Sequence, residues 1–129
     1  MKIIDHLSVG VTDIESACKF YNPVLEQIGG KLLAQSEGLA AYGEDAVEFI
    51  AILPFDKKSA TGGNGTHICF KAADQQSVDA FHATALENGG TNEGVPGPRT
   101  DYPTPNAYAA YVRDPFGNKL EVIHSGFGG

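Results

Sequence analysis

The sequence predicts an α+β fold of two tandem modules, each running strand–helix–strand–strand–strand. Three observations predict it. A glutamate sits inside two matching β-type runs, Val47-Glu48-Phe49-Ile50 and Leu120-Glu121-Val122-Ile123, with Glu48 and Glu121 73 positions apart. Other landmarks repeat at a similar spacing: His6 and His67, and Phe20 and Phe81, are 61 apart, and Gly29-Gly30 precedes Gly89-Gly90 by 60. Between the copies lies a polar, glycine-rich stretch, Asp56–Gly65 (DKKSATGGNG), with the composition of a linker. Self-similarity of this kind marks a duplicated structural unit. The expected organisation is a single domain over 1–129, with module 1 at 1–55, the linker at 56–65 and module 2 at 66–125.

Each element has a local reason. Ile3–Val11 alternates, with His6, Ser8 and Gly10 on one face and Leu7, Val9 and Val11 on the other. Thr12 is expected to cap the next helix, with Glu15 reaching back to complete a capping box. Ile14, Ala17, Tyr21, Leu25 and Ile28 then recur at three and four. Pro23 has no N–H to donate, so it should kink or split this helix near Asn22. Gly29-Gly30 ends it. Short β-type runs follow at Lys31–Gln35, Leu39–Tyr42 and Ala46–Leu53, and Pro54 closes the last.

After the linker the pattern restarts. Thr66–Lys71 is a strand carrying His67, and Asp74 caps a helix with Val78, Phe81, Ala85 and Leu86 on one face. Asn92–Asn106 contains four prolines and two glycines and is predicted as a surface loop. Ala107–Arg113 and Asn118–Ser125 are strands on either side of the turn Asp114-Pro115-Phe116-Gly117, and Gly126–Gly129 is expected to fray.

Composition excludes several classes. Hydrophobic residues at 42% and charged residues at 19% are an ordinary globular balance. A net charge of -7 argues against nucleic acid, whose phosphates need a basic surface. No apolar run approaches the roughly 20 residues that span a bilayer. The opening Met1-Lys2-Ile3-Ile4 meets Asp5 and His6 at once, which leaves no stretch of leader length. Cys18 and Cys69 are expected to be buried free thiols, as in a reducing cytoplasm.

Two histidines and two carboxylates in strands, duplicated at matching places, form the ligand set a divalent ion prefers. Imidazole suits zinc, nickel, iron and manganese, and carboxylate favours the harder of these. His6, His67, Glu121 and Glu48 are therefore the candidate metal ligands. Each residue alone has a plainer use, as a hydrogen-bonded core histidine or an ion-paired carboxylate. His82 is expected on the solvated side of its helix, and His124, alternating away from Glu121, should face outward. Tyr108, Tyr111 and Tyr102 could line a pocket, although aromatic residues in strands usually pack. Arg99 and Arg113 could bind an anionic substrate or form surface salt bridges. Gly62-Gly63-Asn64-Gly65 lacks the lysine and hydroxyl residue of a phosphate loop.

The runs IDHLSVGVTD, Lys19-Phe20-Tyr21, GTHICF and DPFGNKLEVI together resemble the vicinal oxygen chelate superfamily. That group holds glyoxalase I, bleomycin- and fosfomycin-resistance proteins, extradiol dioxygenases and methylmalonyl-CoA epimerase. The resemblance covers essentially the whole chain. It implies two βαβββ modules forming a curved mixed sheet around a cleft with a divalent metal (Zn, Ni, Mn or Fe), often in a homodimer. Carried over by position, His6, His67 and Glu121 match the shared ligands, and Glu48 matches the fourth, which glyoxalase I fills with glutamate. The activity it implies is a lyase or isomerase of glyoxalase type, with a small carbonyl substrate and Glu121 or Glu48 moving the proton. Alternatives are an iron-dependent ring-cleaving dioxygenase, a thiol transferase, or a metal-free module that sequesters a small hydrophobic molecule.

Overall fold

A computed structural model describes residues 3–128, so Met1, Lys2 and Gly129 lie outside the described residues. Ten elements follow one another: β1 (Leu7–Gly10), α1 (Ile14–Glu26), β2 (Lys31–Gln35), β3 (Leu39–Gly43), β4 (Val47–Ile52), β5 (Ile68–Lys71), α2 (Gln75–Glu87), β6 (Thr91–Pro98), β7 (Tyr108–Arg113) and β8 (Lys119–His124). They form two βαβββ modules, each with a four-stranded mixed sheet, in the orders β1-β4-β3-β2 and β5-β8-β7-β6. In each sheet the first strand runs parallel to the last, and the remaining pairs are antiparallel.

The helices lie against one face of each sheet and against each other. One contiguous apolar cluster contains Val11, Phe20, Tyr21 and Val24 of the first module with Val78, Phe81, Leu120 and Val122 of the second. The alternation of β8 shows how this positions a site. Leu120 and Val122 turn toward the helices, so Glu121 and Ile123 occupy the opposite face. Between the modules, the turn ahead of β8 acts as a staple. Asp114, buried at 3%, accepts from Tyr21 Oη, the Phe116 and Asn118 amides and Asn118 Nδ2. Asn118 Nδ2 also donates to the Gly10 carbonyl at the end of β1, 2.9 Å away.

Several local expectations need correcting. Asp13, not Thr12, caps α1, because its carboxylate accepts from the Ser16 amide at 2.8 Å. Pro23 does not split α1. The carbonyl it leaves unpaired, that of Lys19, belongs to an exposed residue that water can serve, and the helix continues to Glu26. Asp74 caps α2 as expected, accepting from Ser77, whereas Leu86 falls off the buried stripe and is 42% exposed.

The segment read as a proline-rich loop contains β6. This is the outer strand of its sheet, where Pro96 and Pro98 need not donate, and its register shifts twice along β7. The tail from Gly126 to Gly128 is not a fray: Phe127 packs edge-on against Tyr102 at 5.3 Å between centroids. Both cysteines are free, but only Cys18 is buried. Among the described residues no helix is long and apolar enough to cross a membrane.

Candidate functional site

Glu121 is a carboxylate with 4% of its surface exposed, on the face of β8 turned away from the helices. An ionised group at such depth must be paired or hydrogen-bonded, and Glu121 is both. His67, just ahead of β5, places Nε2 3.1 Å from Oε1. Tyr102, from the β6–β7 connection, donates its hydroxyl to Oε2 at 2.9 Å. Tyr111, the cross-strand partner of Glu121, lies 2.6 Å from the Tyr102 hydroxyl. The Tyr102 proton is committed to the carboxylate, so Tyr111 is the donor in that contact.

Cys69 stands directly beside Glu121 in the parallel ladder. Burial first and the Glu121 charge second push its thiol far above the ordinary range. Burial also raises both phenols, and the hydrogen bond to Tyr102 adds to the rise at Tyr111. Both therefore keep their protons at neutral pH. Beside the pair lies a cavity of about 270 Å³ lined by His67, Cys69, Glu121, Ile123 and Phe127. One wall is a buried carboxylate with a half-exposed imidazole, Lys71 also lines the cavity, and the rest is largely apolar. That arrangement can bind a cation or take a proton from a small molecule.

The four expected ligands do not meet. His67 and Glu121 come together, but among the described residues no group of three or more His, Cys, Asp or Glu side chains could hold a metal ion. His6, ahead of β1, turns Nδ1 to Asp5 Oδ1 at 2.5 Å. Glu48 is exposed on β4. The ladders explain the discrepancy in the repeat. Leu7 pairs with Phe49, and its counterpart Ile68 pairs with Leu120. In that register Ile50 takes the place of Glu121, and Glu48 takes that of Lys119. The sequence match of Glu48 with Glu121 is two residues out of step. Continued one step before Leu7↔Phe49, the same register would bring His6 level with Glu48 on module 1, although His6 lies ahead of β1 and turns to Asp5. A cavity of about 420 Å³ where module 1 meets β5 is lined in part by Glu48, Phe49 and Phe70. It contains neither histidine, so the smaller cavity is the better candidate site.

The remaining candidates are placed as follows. Tyr108 points to the helix side and donates to Asp79 Oδ1 at 2.7 Å, which removes it from the pocket. Arg99 donates to the Val95 carbonyl and stands 6.0 Å from the Tyr111 ring centroid. Arg113 forms a salt bridge with Glu93 at 2.7 Å. His82 is buried, not solvated, with Nε2 2.9 Å from Asn92 Oδ1, a partner brought by the unforeseen β6. His124 is half-buried, with Nδ1 3.4 Å from the Ala72 carbonyl. Cys69 and Phe127 were missed as site residues. Strand alternation from His67 could have found the former, and nothing local signals the latter.

The model of the Glyoxalase/Bleomycin resistance protein/Dioxygenase superfamily matches residues 3–122. A glyoxalase/bleomycin resistance protein from Albidiferax ferrireducens is 36% identical, with a TM-score of 0.86 over 95% of this chain and 98% of its own. A lactoylglutathione lyase from Agrobacterium tumefaciens shares the fold at 21% identity, with a TM-score of 0.66 over 95% of this chain and 92% of its own. A glyoxalase-related enzyme from Fulvimarina pelagi shares it at 14% identity, with a TM-score of 0.74 over 96% and 88%. No curated protein matches the chain. The chain belongs to the Glyoxalase/Bleomycin resistance protein/Dioxygenase superfamily, that is, the vicinal oxygen chelate fold.

Proposed function

We propose that this protein is a divalent-metal-dependent lyase or isomerase of glyoxalase type, acting on a small carbonyl substrate in the cavity beside Glu121. The observation that carries this reading is the buried Glu121 carboxylate facing His67 Nε2 at 3.1 Å. The donor set fits an ion. Two adjacent ligands of an octahedral metal, each about 2.1 Å from it, stand roughly 3 Å apart. The ion would take the place between them, held by the neutral imidazole and the carboxylate.

When bound, the ion would act as a Lewis acid on two adjacent substrate oxygens and lower the cost of negative charge there. The chain's own part is to hold and move protons. Glu121 stands within reach of a substrate in the cavity and serves as the base. Ile123 and Phe127 give that substrate an apolar wall. His6 and Glu48 would complete a four-ligand site from a second copy. We therefore read the active unit as a homodimer, with Glu48 as the other candidate proton carrier. Two unpaired cysteines support a reducing cytoplasmic setting.

The gathering of two donors rather than four favours one other reading, a metal-free module that sequesters a small hydrophobic molecule. Metal content by plasma mass spectrometry on untagged protein separates the two. Near one equivalent of zinc, nickel, manganese or iron per chain, lost in His67→Ala, supports the enzyme. No metal in the wild type, even after loading, overturns it and leaves the sequestering module.

A further inference from the structure

We infer that Tyr102 is the positioning residue of Glu121: its phenol, held in turn by Tyr111, occupies one carboxylate oxygen and leaves the other aimed at His67. The inference rests on the proposed role of Glu121 as metal ligand and base. A glutamate carboxylate turns about a broad terminal torsion, so nothing in its own strand decides which oxygen faces a ligand. Here Oε2 accepts from Tyr102 at 2.9 Å, and Oε1 is left to His67 at 3.1 Å. Cys69 and Tyr111 also address the carboxylate, but only Oε1 is turned toward the imidazole.

Tyr102 is itself fixed on three sides. Its ring packs against Ala107, Ala109 and Ile123, and Phe127 meets it edge-on at 5.3 Å. Its amide closes a turn onto the Arg99 carbonyl at 3.2 Å, next to Pro103. Tyr111, 2.6 Å from the Tyr102 hydroxyl, settles the direction of the Tyr102 proton by donating its own. Lys119 lies 5.1 Å from the Tyr111 ring centroid and holds that ring in turn. The two tyrosines are therefore turned to the carboxylate rather than lining the cavity for a substrate. Hydrogen-bond partners of metal ligands typically set affinity by about ten- to a hundredfold.

The test uses the full chain, freed of metal by chelation and titrated with Mn²⁺. The ¹⁵N signals of the His67 imidazole are read at one fixed pH beside the titration. Wild type is expected to bind one Mn²⁺, and Tyr102→Phe to bind it about ten- to a hundredfold more weakly. Tyr111→Phe should lose less, and Tyr108→Phe, whose hydroxyl serves Asp79 on the other face, should lose nothing. In a Glu121→Gln background, adding Tyr102→Phe should cost no further affinity. Wild-type affinity in Tyr102→Phe, or an equal loss in the Glu121→Gln background, overturns the inference. If the wild type takes no Mn²⁺, the metal reading falls, and the His67 signals alone decide the role of Tyr102. A shift in Tyr102→Phe but not in Tyr108→Phe then sustains it, and no shift overturns it.

Discussion

Replacing Glu121 by Gln keeps the side-chain shape and removes the charge that His67 and Tyr102 both address. Near-UV circular dichroism should be unchanged while turnover falls about a hundred- to ten-thousandfold, the usual worth of a proton-transferring group. Turnover at the wild-type rate would take Glu121 out of the chemistry. Cys69 offers a second check. Its residue is exposed, yet burial of the sulfur and then Glu121 keep the thiol protonated. Iodoacetamide should label it slowly at pH 8 and faster, though not freely, in Glu121→Gln. Peptide mass spectrometry reads both rates. At this scale the sequence disclosed Glu121 and His67, because a charge in a β-type run and a repeated histidine stand out. It offered Tyr102 only as a pocket-lining aromatic residue, and not as a partner of Glu121, because that contact depends on the path of the β6–β7 connection.

Turns and edges decide how the elements are set. Gly62, in the linker, has no room for a side chain: a Cβ there would stand 2.2 Å from the Gly117 carbonyl oxygen, in the turn before β8. Gly62→Ala should destabilise the protein by about 1–3 kcal/mol, measured by urea unfolding, with a shift of the amide signals around Gly117. An unchanged midpoint would mean the linker is not clamped there. Losing the α2 cap in Asp74→Ala should lower the melting temperature, while Asp74→Asn should retain most of it. Helix periods made α1 and α2 readable, and the Asp74 cap was legible too, whereas the α1 cap fell one residue after the Thr12 expected. β6 was hidden because Pro96 and Pro98 look like a loop unless the strand is known to be an outer one. Strand register was also unreadable: the irregularity at Tyr42/Gly43 sits in β3–β4, whereas β7–β8 runs without one, and no residue type announces it.

Across the whole molecule, the tyrosines make stability depend on alkaline pH. Tyr21, Tyr42 and Tyr111 all have phenols raised by burial, and Asp114 adds to the rise at Tyr21. The folded chain therefore holds protons that the unfolded chain releases near pH 10, and the Cys69 thiol behaves alike near pH 8.5. Their contribution is complete below about pH 8.5 and is lost as pH rises beyond it, because the unfolded state alone ionises. Urea midpoints should be level from pH 7 to about 8.5 and fall steeply by pH 10–11. A level profile up to pH 11 would contradict this account. Tyr21→Phe removes one of the bonds on Asp114 that join the modules and should cost about 1–3 kcal/mol without making unfolding biphasic.

The core shared by both modules has a consequence for a divided chain. Because Val11, Phe20 and Tyr21 are buried with Phe81, Leu120 and Val122, neither half can cover its own apolar surface. Backbone continuity through the glycine-rich connection contributes little beyond keeping the halves near each other. Two separately made peptides, broken between Lys58 and Ser59, should each be unstructured alone and assemble when mixed. The Asn118 contact with the Gly10 carbonyl would then form across a break, and recovery of the fold would become a second-order process that rises with peptide concentration. The protein is thus a natural candidate for a two-piece reporter whose signal appears only when its halves are brought together.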